Sequence, residues 1–146
     1  MTSTVELRPP TLLALPTYLA SHVGYLGRRH LVAVLAEHHL RLQHFAVLTA
    51  LADFGPLAQH ELAERLGLNR SHLVGYLDEI EGRDLVARRR DPADRRRQHV
   101  DLTAAGTALV AELLPVVERA NEELLAPLSA DERRTLAELL RRVVAG

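Results

Sequence analysis

Residues 59–81 read QHELAERLGLNRSHLVGYLDEIE, and the order of small and apolar positions within them decides the fold. Ala63 is followed four residues later by Gly67, and Leu73 and Tyr76 stand six and nine residues beyond that glycine. Two short helices that cross steeply through a tight turn need a small side chain at the crossing, a residue tolerant of positive φ in the turn, and apolar anchors on the second helix. The stretch meets all three needs and reads as a helix-turn-helix. Asn69 is placed to cap the second helix, because its side-chain oxygen can accept a bond from a free amide of the first turn. Arg70, Ser71 and His72 then open that helix.

Downstream, Arg88-Arg89-Arg90-Asp91-Pro92-Ala93-Asp94-Arg95-Arg96-Arg97 precedes Val100 and Leu102, which alternate with His99 and Asp101. A period of two marks extended chain, so a turn-rich basic tip between two short arms predicts a β-hairpin. Directly after a helix-turn-helix, that hairpin is a wing. Six arginines less two aspartates leave +4 on residues 88–97. Upstream, Leu19, Val23, Leu26 and Val34, with Leu31 and Leu35 beside them, predict a long helix from about Pro16 to Glu37. Gly24 and Gly27 inside it each cost roughly 1 kcal/mol relative to alanine and suit close approach of another helix. Phe45, Leu48, Leu51 and Ala52 mark a second helix, stopped by Gly55 and Pro56. The first ten residues, through Pro9 and Pro10, carry no sustained period and read as a loose tail.

Beyond the wing, Thr103 is expected to cap a long helix whose apolar face holds Leu109, Leu113, Val117, Ala120 and Leu124, and Pro115 should bend it. Ser129 and Glu132 form a capping box that opens a last helix, with Leu136, Leu139, Leu140 and Val143 on its apolar side. One small winged helix does not need so much apolar helix outside itself, so the chain ends are read as a dimer core. The expected fold is mainly α with a small β-hairpin wing. A winged helix-turn-helix over 40–102 is flanked by dimerisation helices over 11–38 and 104–146.

A chain of 146 residues with 47% hydrophobic and 25% charged residues is globular. Its 18 basic and 19 acidic residues leave a net charge of −1, so a nucleic-acid site must be a local patch, which the wing supplies. All the basic residues are arginine. The absence of cysteine removes disulfides, thiolate zinc sites and a cysteine nucleophile. No apolar run approaches the roughly 18 residues of a membrane span, and no leader pattern opens the chain, so a cytoplasmic protein without a membrane partner is expected. Ser71 and Ser129 lie at helix starts without a Gly-x-Ser-x-Gly elbow, and neither a phosphate-binding glycine loop nor His-Glu-x-x-His occurs. No catalytic residue and no cofactor are therefore expected. The eight histidines, among them His22, His30, His38, His39 and His44, form no tight helical pair with an adjacent carboxylate, so no metal site is assigned.

The sequence resembles the MarR family of winged-helix transcriptional regulators over nearly its whole length. The resemblance is carried by His44-Phe45-Ala46-Val47-Leu48, by Gly55-Pro56-Leu57 leading to Glu61-Leu62-Ala63-Glu64-Arg65-Leu66-Gly67, and above all by Asp91-Pro92-Ala93-Asp94-Arg95-Arg96 running into Leu102-Thr103 and Gly106. It implies a two-fold dimer, recognition helices in successive major grooves, wing arginines in minor grooves, and a small-molecule pocket between the dimer helices and the reading heads. Three positions depart from the pattern. His72 and Gly75 stand in the recognition helix where many relatives carry other polar or basic residues, and Asp84 replaces a common glycine.

The resemblance assigns DNA binding to Arg70, Ser71, His72, Arg90, Asp94, Arg95, Arg96 and Arg97. Asp94 and Arg96 fit the family's Asp-x-Arg wing motif, in which the carboxylate holds the guanidinium toward a narrow minor groove. Arg90, Arg95 and Arg97 are assigned to phosphates, and the first turn of the recognition helix to base edges and phosphates. Gly75 would let that helix approach the groove closely. Tyr18, His22 and Tyr25, with His44, are the residues expected to line an effector cavity for a small phenolic or carboxylate ligand. The expected function is a homodimeric, sequence-specific DNA-binding regulator, a ligand-responsive repressor on a pseudo-palindromic operator. The alternatives are a winged-helix protein-interaction module and a metal-responsive regulator. Salt-dependent binding to a two-fold duplex separates a DNA reader from a protein-contact module.

Overall fold

The computed structural model describes residues 5–146. The helices are α1 (Pro10–Leu13), α2 (Pro16–Ala36), α3 (Leu42–Phe54), α4 (Gln59–Leu66), α5 (Arg70–Gly82), α6 (Ala104–Leu124) and α7 (Ala130–Ala145). The strands β1 (Leu57–Ala58), β2 (Val86–Arg90) and β3 (Gln98–Leu102) form one antiparallel sheet in the order β1-β3-β2. Val86 faces Leu102 and Arg90 faces Gln98 across the hairpin, while Leu57 faces Val100. The wing is thus the expected hairpin plus a two-residue third strand, too short for its alternation to be read from sequence.

Two compact units make up the chain. Val32–Val117 form one, and the chain up to Leu31 with Glu118–Gly146 forms the other. The first unit is wider than 40–102 because Leu35, Val110 and Leu113 are buried in it. Leu48, Leu51, Leu62, Leu73, Leu77, Ile80 and Val100 complete the core that holds α4, α5 and the sheet.

The helix-turn-helix has the predicted construction. Gly67 lies at φ 61, ψ 32, in the left-handed region that the turn demands. The Leu68 amide donates to the Ala63 carbonyl at 2.9 Å, closing α4 with a Schellman-type bond. Ala63 is buried at the crossing. The Asn69 side chain accepts from the Ser71 amide at 2.8 Å and caps α5.

At the root of the wing, Thr103 Oγ1 donates to the Asp84 carbonyl and accepts from the Gly106 amide at 3.0 Å, so it caps α6 as expected. Asp84 has φ 58, in the left-handed region that favours glycine. A Cβ placed on Gly106 would lie 2.0 Å from the Leu85 carbonyl oxygen. Pro115 lies inside α6, which runs on to Leu124.

In the second unit, Ser129 and Glu132 form the expected capping box, at 2.9 and 3.2 Å. A Cβ on Gly27 would meet Leu124 at 3.4 Å, whereas Gly24 has nothing within 4 Å. Only Gly27 therefore serves a close approach. The loose tail read for residues 1–10 needs correction. Residues 1–4 lie outside the described residues, Pro10 opens a helical turn, and Arg8 is pinned to α2 by side-chain contacts. Apolar side chains remain open to solvent on α7, with Leu139 at 50% and Val143 at 78% exposure, and on α2 at Leu19 and Val23.

The glycines of the wing root and of α5 make opposite predictions. Gly106→Ala forces a methyl onto a backbone carbonyl and should destabilise the fold by about 1–3 kcal/mol. Gly75→Ala, at an open helical position, should stabilise it by up to about 1 kcal/mol. Thermal denaturation of both variants checks the pair.

Candidate nucleic-acid interface

Helix α5 and the wing share one open cleft of about 440 Å³. Arg70 reaches it from the first turn of α5, Arg90 from the end of β2, and Arg95, Arg96 and Arg97 from the hairpin tip. Gln59, His60, Leu73 and Gln98 complete its walls. Among the described residues, Arg70, Arg90, Arg95 and Arg96 take part in no ion pair, and Arg97 has only a 3.8 Å contact with Asp94. The Oε1 atom of Gln59 is buried without a hydrogen-bond partner among the described residues. Five guanidinium groups around one open space repel each other, and a polyanion laid between them relieves that repulsion.

The turn that presents the wing arginines is built by its two aspartates. Asp91 Oδ1 accepts from the Ala93 amide at 2.8 Å and Asp94 Oδ1 accepts from the Arg96 amide at 3.0 Å, both as Asx turns. The Arg97 amide donates to the Asp94 carbonyl, and the Asp91 amide donates to the Arg97 carbonyl, each at 2.9 Å. The expected carboxylate clamp on the Arg96 guanidinium is thereby corrected. Asp94 holds the Arg96 backbone, and the guanidinium beside its carboxylate is that of Arg97. Asp91 pairs with His99 at 3.2 Å.

Arg88 belongs to the basic run in sequence but not to the cleft. Its Nη2 donates to Asp78 at 2.5 Å and to Glu81 at 2.9 Å, and its backbone amide donates to Glu81 at 3.1 Å. This guanidinium ties β2 to α5. The Glu81 carboxyl is held below the usual carboxylate range by the hydrogen bond from Arg88, and Arg88 is raised in turn. On the other side of α5, Arg41 Nη2 lies 2.5 and 2.7 Å from the two Glu79 oxygens, and the Arg41 guanidinium stacks over Tyr76. Glu79 is likewise lowered, chiefly by Arg41.

The other residues singled out from the sequence are scattered. Ser71 and His72 are exposed on α5 but do not line the cleft, and the Ser71 hydroxyl donates to Asn69. Of the expected effector group, the structure brings Tyr18 and His22 together through Arg8. The Arg8 guanidinium donates to the Tyr18 hydroxyl and lies 3.5 Å from both His22 ring nitrogens. Tyr25 is exposed with Arg29 over its ring. His44 belongs to the other unit, is 4% exposed, and has both ring nitrogens engaged, by the Arg41 amide at 2.9 Å and by Glu79 at 2.6 Å. Arg8 escaped the sequence reading because it stands in a segment with no periodicity, ten residues before the tyrosine it meets.

The family model for MarR matches residues 40–97. The transcriptional regulator HosA of Escherichia coli is 34% identical over 117 residues, covering 74% of this chain and 87% of HosA. The chain belongs to the MarR family. It is similar in structure to a cysteine-to-serine variant of Escherichia coli MarR complexed with operator DNA, with a TM-score of 0.74 and 28% identity over 86% of this chain and 90% of that one. It is also similar to Bordetella bronchiseptica BpsR, whose DNA binding is regulated by 6-hydroxynicotinic acid, with a TM-score of 0.78 and 26% identity over 91% and 95% of the two chains. This MarR-family chain therefore has the winged-helix DNA-binding fold of transcriptional regulators. Among the described residues no helix is long and apolar enough to cross a membrane, and no three His, Asp or Glu residues are grouped to hold a metal ion.

The carboxylates of α5 make the fold acid-sensitive. Glu79 and Glu81 have folded values below the ordinary 4.5, so their stabilisation is present above about pH 4.5 and is lost as pH falls through the lowered values. The melting temperature should fall over that window. Glu81→Gln should melt lower than the natural chain at neutral pH and converge with it in acid.

Proposed function

We propose that the protein is a homodimeric repressor that grips a pseudo-palindromic operator and releases it when a small aromatic acid binds. The observation that carries this reading is the convergence of Arg70 with Arg90, Arg95, Arg96 and Arg97 on one cleft in a chain of net charge −1. A recognition helix beside a cationic wing tip suits a major groove flanked by a minor groove. Arg96, at the tip and in no ion pair among the described residues, enters the minor groove, while Arg70, Arg90, Arg95 and Arg97 take phosphates. Ser71 and His72, exposed on the first turn of α5, face base edges.

Dimerisation is supported by the open apolar side chains of α2 and α7, which a second copy would cover. A two-fold pair of reading units fits half-sites about one helical turn apart. Repression requires only that the bound dimer occlude a promoter, whereas activation needs a further contact with polymerase. Such a protein works where the chromosome is, in the cytoplasm.

The effector site is assigned to Arg8, Tyr18 and His22. A guanidinium suits a carboxylate, and a phenol and an imidazole suit a ring hydroxyl or ring nitrogen. The regulation of BpsR by 6-hydroxynicotinic acid supports the same ligand class. A ligand acts by favouring a dimer state whose half-site spacing no longer matches DNA.

Fluorescence anisotropy on duplexes selected from genomic fragments tests the reading. Arg96→Ala should weaken binding about tenfold or more at moderate salt while sedimentation still shows a dimer, the loss of one minor-groove contact being about 1–3 kcal/mol. Arg97→Ala should lower the salt slope by about 1. Arg8→Gln should leave DNA affinity in place and abolish the response to 6-hydroxynicotinic acid and related hydroxylated aromatic acids. A monomer that ignores every duplex at low salt would overturn the assignment.

A further inference from the structure

His44 is the one buried polar side chain of the described core, and no part of DNA contact requires it. Its surroundings specify its protonation. Nδ1 lies 2.9 Å from the Arg41 backbone nitrogen, which can only donate, so Nδ1 is an unprotonated acceptor. The proton then sits on Nε2, which donates to Glu79 Oε2 at 2.6 Å. One neutral ring thus satisfies the free amide at the start of α3 and holds a carboxylate of α5. Tyr76, also on α5, meets the ring edge to face with centroids 5.6 Å apart.

We propose that His44 is a positioning residue for DNA recognition: neutral, it clamps the recognition helix α5 to the start of α3, and its protonation releases that helix and lowers DNA affinity. The inference rests on the DNA-reading role of α5 proposed above. Adding a proton to Nδ1 sets two donors against each other across 2.9 Å, so the ring has to turn, and the cap on α3 is lost. The charged groups around the ring divide. Glu79, from α5, favours the cation, while Arg41 at the start of α3 and Arg83 just after α5 oppose it, Arg83 being fixed to the His38 and His39 carbonyls at 3.1 and 3.0 Å. Burial is the largest cause and holds the clamped imidazole below its ordinary 6.5. A released ring returns toward that value, so protons favour the released state as pH falls below about 6.5.

The sign separates this clamp from the rest of the interface. Added positive charge at the interface by itself tightens binding to a polyanion. The clamp acts in the opposite direction.

The test is anisotropy at about pH 8 and about pH 5.5, on a duplex selected from genomic fragments, for the natural chain, His44→Gln and His44→Asn. Amide hydrogen exchange across Arg70–Gly82 and circular dichroism are recorded alongside. The natural chain should lose about tenfold in affinity on acidification, about 1.4 kcal/mol, with faster exchange along α5. Glutamine keeps a donor toward Glu79 and cannot be charged, so His44→Gln should bind at least as well in acid as it does at pH 8. Asparagine keeps the acceptor for Arg41 but cannot reach Glu79, so His44→Asn should bind weakly at both pH values. Identical acid responses of folded natural chain and His44→Gln, in affinity and in α5 exchange, overturn the proposal. If no duplex is bound at either pH, the DNA-reading role fails, and α5 exchange alone decides the clamp.

Discussion

Helix α5 carries Asp78, Glu79 and Glu81 in its C-terminal half, the end where the helix dipole tolerates negative charge least. What makes this arrangement stable is that arginines from both sides close over those carboxylates. Arg88 binds Asp78 and Glu81 from the wing, and Arg41 binds Glu79 from the start of α3. The pairs differ in weight. Arg88 is mostly buried, with its side chain 19% exposed and three bonds to Glu81, whereas the Arg41–Glu79 pair is half open to solvent and is screened by salt. The C-terminal half of α5 is thereby fixed to the wing on one side and to α3 on the other. Its first turn, Arg70 to His72, is left exposed.

That division also sorts the arginines. A chain whose 18 basic residues are all arginine offers no compositional hint of which are structural. Arg41 and Arg88 hold α5, Arg83 closes the turn after α2 through two carbonyls, and Arg65 lies 4.3 Å over the Phe54 ring. Among those in the wing run, Arg88 differs from Arg90 only by lying two residues closer to α5. On a strand whose side chains alternate, this places both on one face, and distance from the helix decides between ion pair and open cleft.

The local architecture was legible because its determinants are local. Ala63, Gly67 and Leu73 fix a helix crossing within eleven residues, Asn69 and Ser129 cap through partners two or three residues away, and the hairpin announces itself by period and turn residues. The same holds for Asp84, whose place in a glycine position matched a left-handed backbone. What sequence could not show are contacts between distant segments. Glu79 meets His44 and Arg41 across 35 and 38 residues. Arg8 reaches Tyr18 and His22 from a stretch without pattern. The wing motif misled in one detail for a related reason. An aspartate two residues before an arginine suggests a side-chain pair, but in a tight turn the nearer donor is the backbone amide, and Asp94 takes it.

Charge placement carries the last step. Five arginines line the cleft, so a chain of net −1 holds −6 everywhere else, the total less the five positive charges. The remainder is net negative, so a polyanion is drawn to the wing in preference and encounters are biased before contact is made. A uniformly basic protein would gain affinity for any duplex at the expense of orientation. Here the acidic remainder also lines the back of the recognition helix, as Asp78, Glu79 and Glu81. Each of these carboxylates lies within a few ångströms of an arginine whose charge it offsets. Anchoring the helix and confining the positive field are therefore one and the same arrangement of charges.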